Sequence, residues 1–213
     1  MTKKPKICTP QKHLEPKIQK ALRDYKGIWK KGGRAIYEEM CFCILTPQSS
    51  AKQAAKSITN LKEHKLLDNG SAAQKEPHIK SIRFFRTKAK RLAEVQEKFP
   101  ATRIKEILLK EGATKNTIKC REYLIENVNG YGMKEASHFL RNIGFYEDIA
   151  ILDRHILKNL ALCGVIREVP KHFSKKTYLE IEEKMRQFCK KHSIKIEELD
   201  LIFWSNETGE VFK

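Results

Sequence analysis

The sequence predicts an all-α protein of about ten short helices. Three observations carry that prediction. Apolar residues recur at three- and four-residue spacings in one segment after another, no stretch of useful length alternates apolar with polar, and no repeat of 20–50 residues is present. In chain order, Ile36, Met40, Cys41, Ile44 and Leu45 form the stripe of a half-buried helix that breaks at Pro47. Ala51, Ala54, Ala55, Ile58 and Leu61 form the next. Leu92, Val95 and Phe99 form a third, stopped by Pro100, and Ile104, Ile107 and Leu108 a fourth. Ile118, Tyr123 and Leu124 suit a helix running to about Asn127, and Met133, Ala136, Phe139, Leu140 and Ile143 another, with Gly144 placed as its C-cap. Tyr178, Ile181, Met185 and Phe188 follow, with Thr177 and Glu180 spaced as a capping box. A last stripe, Leu199, Ile202 and Phe203, ends at Trp204.

Charge narrows the partner. The chain has 43 Lys and Arg against 26 Asp and Glu, a net charge of +17, and a pI near 9.6. Residues 1–40 and residues 75–110 each hold 11 basic and 4 acidic groups, so two segments carry most of the excess. A basic run is often only a solvated helix face, but two such segments favour a polyanion. No run of 18 apolar residues exists to span a bilayer, and the N-terminal Met-Thr-Lys-Lys-Pro-Lys has no apolar stretch behind it. An intracellular globular protein without a membrane association is expected. The six cysteines, at 8, 41, 43, 120, 163 and 189, lack the spacing of a zinc or iron–sulfur site. They are expected as reduced, packed thiols, with no bound metal.

The most informative segment joins two of these helices. Val128-Asn129-Gly130-Tyr131-Gly132 is a tight turn whose glycines have access to positive φ. The helix after it begins with unbonded N–H groups, which together with the dipole suit a backbone phosphate; an ordinary αα-hairpin would look the same. Lys134 falls in the first turn of that helix, where the dipole disfavours a second cation. A nucleophilic lysine has reason to be there. At an ordinary value near 10.4 only about one amine in a few thousand is neutral at pH 7, and burial or a helix N-terminus raises that fraction. Asp153 stands ahead of an apolar-periodic segment, as an N-cap would; a carboxylate that supports a cationic sugar is compatible with the same position.

Gly130-Tyr131-Gly132-Met133-Lys134, with Asp153 downstream, resembles the helix-hairpin-helix DNA glycosylases. More narrowly, residues 134–144, the segment Leu152-Asp153-Arg154-His155-Ile156 and the segment Ile44-Leu45-Thr46-Pro47-Gln48-Ser49-Ser50 resemble the archaeal-type short 8-oxoguanine DNA glycosylase/lyases. The similarity runs over essentially the whole chain. The loop from Gly144 to Asp148 has no proline, which departs from the pattern, and the absent cysteine cluster separates the chain from the endonuclease III branch.

The resemblance implies a two-lobed helix-hairpin-helix glycosylase fold with a DNA cleft between the lobes, one lobe from 48 to 133 and the other from 1–47 plus 134–213. It implies excision of 8-oxoguanine from duplex DNA through a lysine Schiff base, then a cut 3′ of the abasic site by β-elimination. Lys134 is the implied nucleophile and Asp153 the carboxylate beside it. Trp204 and Phe85 are implied on the two faces of the flipped base, with Phe84 the competing choice for the second face, and the terminal Lys213 reaching into the base pocket. Gln48 is implied at the gap left in the duplex. Gly130 and Gly132 are placed on the phosphates through the hairpin, and Arg154 and His155 one turn from the aspartate. A core position is the alternative for Trp204 and His155, and a polar helix start for Gln48. No cofactor is implied, and a monomer acting on DNA of the nucleoid is expected. The rivals are the same lysine chemistry on another damaged base, a hairpin module that only holds DNA, and, more remotely, an RNA-binding helical protein.

Overall fold

The structure is a computed structural model describing residues 8–9 and 11–211. The described residues form eleven α-helices and no strand. Among them, no helix is long and apolar enough to cross a membrane. The chain divides into two compact units, Tyr25–Phe145 and the residues outside that span. Residues 48–133 fall wholly within the first. The division falls inside α1 (Glu15–Lys31).

The Tyr25–Phe145 unit is built on α2 (Gly33–Leu45), which packs against α3 (Ala51–Glu63), α5 (Phe85–Lys98), α6 (Ile104–Lys110) and α8 (Met133–Asn142). So many neighbours close over its second half, where every residue from Met40 to Leu45 is buried, while Arg34 near its start is exposed. The half-buried helix expected there holds for its first turns and is corrected to full burial from Met40 onward, where Phe42 and Cys43, off the expected stripe, are core residues. Ser50 caps α3, its hydroxyl accepting from Gln53 N at 3.1 Å. The short α4 (Ala72–Lys75) starts in the same way at Ser71 and runs into a 3-10 turn, Glu76–Ile79. In α7 (Thr117–Asn127) the buried line is Cys120, Arg121 and Leu124, while Ile118 is exposed. Periodicity misses this register because an arginine occupies a core position. Arg121 is fully buried and donates to Ser137 Oγ of α8 at 3.2 Å. Helix α8 ends in a Schellman motif: Gly144 N donates to Arg141 O at 3.0 Å and Phe145 N to Leu140 O at 2.9 Å. Gly144 has φ +92, and a Cβ there would lie 2.7 Å from Lys26 Cα. The expected C-cap glycine is thus required twice, by conformation and by space.

The other unit contains α9 (Arg154–Leu162), α10 (Lys175–Lys191) and α11 (Ile196–Thr208), with α11 packed on both α9 and α10. The extended segment leading into α9 is fixed by α10. Tyr178 donates its hydroxyl to Ala150 O at 2.5 Å and accepts from Leu152 N at 3.2 Å, and Glu182 accepts from Ala150 N at 2.8 Å. Helix α10 begins three residues earlier than expected. Ser174 is the N-cap and accepts from Thr177 N at 3.1 Å, so the capping box at Thr177 and Glu180 is corrected to a cap at Ser174. On its inner face Cys189 is buried and Phe188 only half-buried.

Candidate functional site

The hairpin between α7 and α8 is assembled from backbone and one buried phenol. Val128 is extended, Gly130 has φ +92, and Tyr131 N closes the turn on Val128 O at 3.0 Å. Tyr131 donates its hydroxyl to Met40 O at 3.0 Å, pinning the turn to α2, and burial holds that phenol well above its ordinary value. Only one of the two glycines uses positive φ. Gly132 is extended and serves as N-cap of α8, with its N–H donated to Glu135 Oε2 at 3.3 Å. At Gly130 a Cβ would fall 2.5 Å from Arg91 Nη1, so the guanidinium of α5 lies directly on the turn. Gly130→Ala is expected to cost about 1–2 kcal/mol from left-handed strain, a loss of a few degrees in Tm, and to displace Arg91. Thermal denaturation checks the first effect and duplex affinity the second.

Lys134 is the second residue of α8, half-buried, as the sequence placed it. Gln48 is exposed and has φ 55, at the apex of the link between α2 and α3. Ser49 N closes that link on Thr46 O at 3.0 Å. The same small region includes the start of α5. Ser49 Oγ accepts from Arg83 N at 3.0 Å, tying the Gln48 turn to Arg83-Phe84-Phe85. Phe84, with φ 59, is 54% exposed, and Phe85 is half-buried; Arg83 lies 5.0 Å over the first ring and Arg86 5.5 Å over the second.

Lys88 was not foreseen. It lies one turn into α5 and is only 2% exposed. Its ammonium donates to Leu45 O at 2.8 Å and Pro47 O at 2.6 Å, with Ser49 Oγ at 3.5 Å. A signal was present, since Lys88 precedes Leu92 by four residues and so lies on the apolar stripe. Lys75 is likewise buried, donating to the carbonyls of Leu66 and Asn69 and to Gln96 Oε1. Two of the eleven basic residues in 75–110 are therefore internal fasteners rather than surface charge. Burial, followed by repulsion from Arg91 and Lys134 and opposed by Glu135, lowers Lys88 to about 8. The unfolded chain holds that proton up to about 10.4, so folding is penalised most below pH 8 and less as pH rises towards 10. The Tm of the native chain relative to Lys88→Met is therefore expected to improve between pH 7.5 and 10, and a thermal scan series across that range tests it.

In the other unit, Asp153 is the N-cap of α9, its Oδ1 accepting from Ile156 N at 2.9 Å. Arg154 is exposed. His155 is exposed too, and its Nδ1 pairs with Glu207 Oε2 at 2.9 Å. Glu207 also accepts from Asn159 Nδ2 at 2.6 Å. The His155 ring stands edge-on to Trp204, centroids 5.3 Å apart and planes at 86°. Trp204 is half-buried, so neither ring is a core residue. Glu207 was missed because a lone glutamate near the end of a helix gives no signal until the fold sets it beside α9. Lys213 lies outside the described residues. Thus Gln48, Phe85, Gly130, Gly132 and Lys134 belong to the Tyr25–Phe145 unit. Asp153, Arg154, His155 and Trp204 belong to the other.

A helical chain with a glycine hairpin, a lysine in the first turn behind it and an aspartate capping a later helix has the fold of a helix-hairpin-helix DNA glycosylase. A family model described as 8-oxoguanine DNA glycosylase matches residues 18–194. The 8-oxoguanine DNA glycosylase/AP lyase of Fusobacterium nucleatum is 44% identical over 205 residues, covering 95% of this chain and 94% of that one. The protein of the same name from Methanocaldococcus jannaschii is 35% identical, with 92% and 91% covered. The crystal structure of the M. jannaschii 8-oxoguanine glycosylase/lyase with a 15mer DNA containing 8-oxoguanine superposes with a TM-score of 0.84 at 34% identity, covering 94% and 93%. The Thermotoga maritima 8-oxoguanine DNA glycosylase gives 0.82 at 27%, with 94% and 93% covered. The chain belongs to the 8-oxoguanine DNA glycosylase family.

Proposed function

We propose that this chain excises 8-oxoguanine from duplex DNA and then cuts the strand 3′ of the abasic site. Its family and the curated relatives named 8-oxoguanine DNA glycosylase/AP lyase support the activity. The observation in the chain that carries it is Lys134, a half-buried lysine in the first turn of α8 behind the hairpin. The duplex first gives up the damaged nucleotide, at a few kcal/mol for unpairing and unstacking. The Lys134 amine bonds to C1′ as the bond from C1′ to the base breaks, and its proton leaves with the base. The Asp153 carboxylate supports positive charge on the sugar in that step. Opening of the ring gives the Schiff base, which acidifies C2′. Loss of a C2′ proton sends the electron pair to break the C3′–O bond, and water releases the lysine.

Trp204 and Phe85 take the two faces of the base and Lys213 its edge. Gln48 occupies the gap in the duplex. The N–H groups of the Gly130–Gly132 hairpin and the N-terminus of α8 hold a phosphate, with Arg154 and His155 on others. The acting species is a single chain, working inside the cell on nucleoid DNA. Borohydride trapping tests the reading. A duplex with one 8-oxoguanine should yield a covalent band, and the undamaged duplex should not. A band only with another lesion would transfer the chemistry to that base, and tight binding with no band on any lesion or abasic site would leave a DNA-holding module.

A further inference from the structure

We propose that Lys88 is a positioning residue whose buried ammonium holds the Thr46–Ser50 turn so that Gln48 is presented to the duplex in a fixed, left-handed conformation. The inference rests on the DNA role of Gln48 given above. A lysine that loses its water must recover hydrogen bonds, and Lys88 recovers them chiefly from two carbonyls leading into the Gln48 apex, Leu45 O at 2.8 Å and Pro47 O at 2.6 Å. Between those carbonyls and Ser49, its third partner, the chain adopts φ 55 at Gln48. A non-glycine residue persists in that region only where its surroundings over-determine it. The neighbours do so here: Pro47 restricts the backbone before Gln48, Ser49 is bonded to Arg83 N, and Ser50 caps α3. Gln48 is left exposed at the apex. Arg91, Lys134 and Glu135 are the charged groups that act on Lys88, so the fastener is near the proposed nucleophile without being spent on substrate.

The test is a double-mutant cycle on single-turnover excision of 8-oxoguanine, with Lys88→Met, Gln48→Ala and the pair. If Lys88 acts through Gln48, each single change slows excision by about tenfold and the pair by little more. A merely structural lysine would make the losses multiply towards a hundredfold. Multiplied losses, or full activity in Lys88→Met, would overturn the proposal. If Lys88→Met does not fold, Ser49→Ala replaces it in the same cycle and is read in the same way. A native chain that does not excise 8-oxoguanine would instead overturn the function proposed above.

A separate observation carries a second inference. Cys8 Sγ and Cys163 Sγ are 3.1 Å apart, although 155 residues separate them in sequence. We infer that this pair is a disulfide-forming site for a hydroperoxide, the class of oxidant that also damages guanine. Cys8 is buried and Cys163, at the C-cap of α9, is partly exposed, so the second meets the oxidant first. The Cys163 thiolate attacks the terminal peroxide oxygen and keeps it as a sulfenic acid. The O–O bond breaks, and the other oxygen takes a proton and leaves as water from hydrogen peroxide or as the alcohol from an organic hydroperoxide. The Cys8 sulfur then displaces the hydroxyl from it, and its proton leaves with that hydroxyl as water. The hydrogen bond with Cys8 lowers the Cys163 thiol from its ordinary value, which favours the attacking thiolate. The bond would tie the start of the chain to the end of the helix that Asp153 begins.

Treatment of the native chain with one equivalent of hydrogen peroxide, alkylation and proteolytic mass mapping test it. A peptide pair joining Cys8 to Cys163, two hydrogens lighter than its parts and absent from Cys163→Ala, is expected. Full alkylation of both thiols after peroxide, or Cys163 stopping at the sulfinic acid, would overturn it.

Discussion

Lys134→Gln is expected to bind lesion DNA and yet form no borohydride-stable complex, with excision slowed at least about a thousandfold. Glutamine keeps most of the length of the side chain and removes the amine. The change should therefore leave the hairpin intact, because the hairpin is held by other groups: Tyr131 on Met40 O, Glu135 on Gly132 N, and Gly130 at φ +92. Lys134 is half-buried and none of those contacts uses it, so the folded state loses little. Binding should persist for the same reason, since hairpin N–H groups and the basic surface do not depend on one amine. A trapping gel, a binding titration and a thermal scan on one preparation separate the outcomes. Loss of the covalent band with Tm and affinity kept assigns the chemistry to Lys134. A mutant that still traps would move the Schiff base to another amine, with Lys88 the first to examine.

The fold was legible wherever a helix has one wet face. The stripes of α3 and α6 gave most of their buried sides, and Gly144 announced the end of α8, although that helix is buried all round from Ala136 to Asn142. Legibility failed where a charged residue occupies an inner position. Arg121 and Lys88 went unmarked in the sequence because periodicity counts only apolar residues, yet each is buried and bonded to Ser137 or to carbonyls of the Gln48 turn. The α10 cap was misplaced because Thr177 and Ser174 are both good caps, and only the bond from Thr177 N to Ser174 Oγ decides. Within the site, short-range positions were readable: Lys134 behind the hairpin and Asp153 at the head of α9 follow from local signals. The His155–Glu207 pair was not, because 52 residues lie between the partners and no local pattern links them.

Asp153 is where two readings of one residue are separable. As an N-cap its Oδ1 accepts from Ile156 N at 2.9 Å, and asparagine offers an equivalent oxygen. Asp153→Asn is therefore expected to leave the Tm within about a degree or two, whereas Asp153→Ala should lose about 1 kcal/mol with the cap. Catalysis should respond in the other sense. Both variants remove the negative charge that supports the cationic sugar, an interaction made chiefly in the transition state, so excision should fall about a hundredfold to a thousandfold in each. Trapping on a preformed abasic site should fall much less, because the aldehyde there is open to the Lys134 amine without departure of a base. If Asp153→Asn kept full excision, the residue would be a cap alone, and the charge opposite the sugar would have to come from another carboxylate. If it lost stability as Asp153→Ala does, the carboxylate would be supporting the segment from Ile149 to Leu152, which α10 already holds through Tyr178 and Glu182. The two variants together thus assign the cap to the oxygen and the rate to the charge.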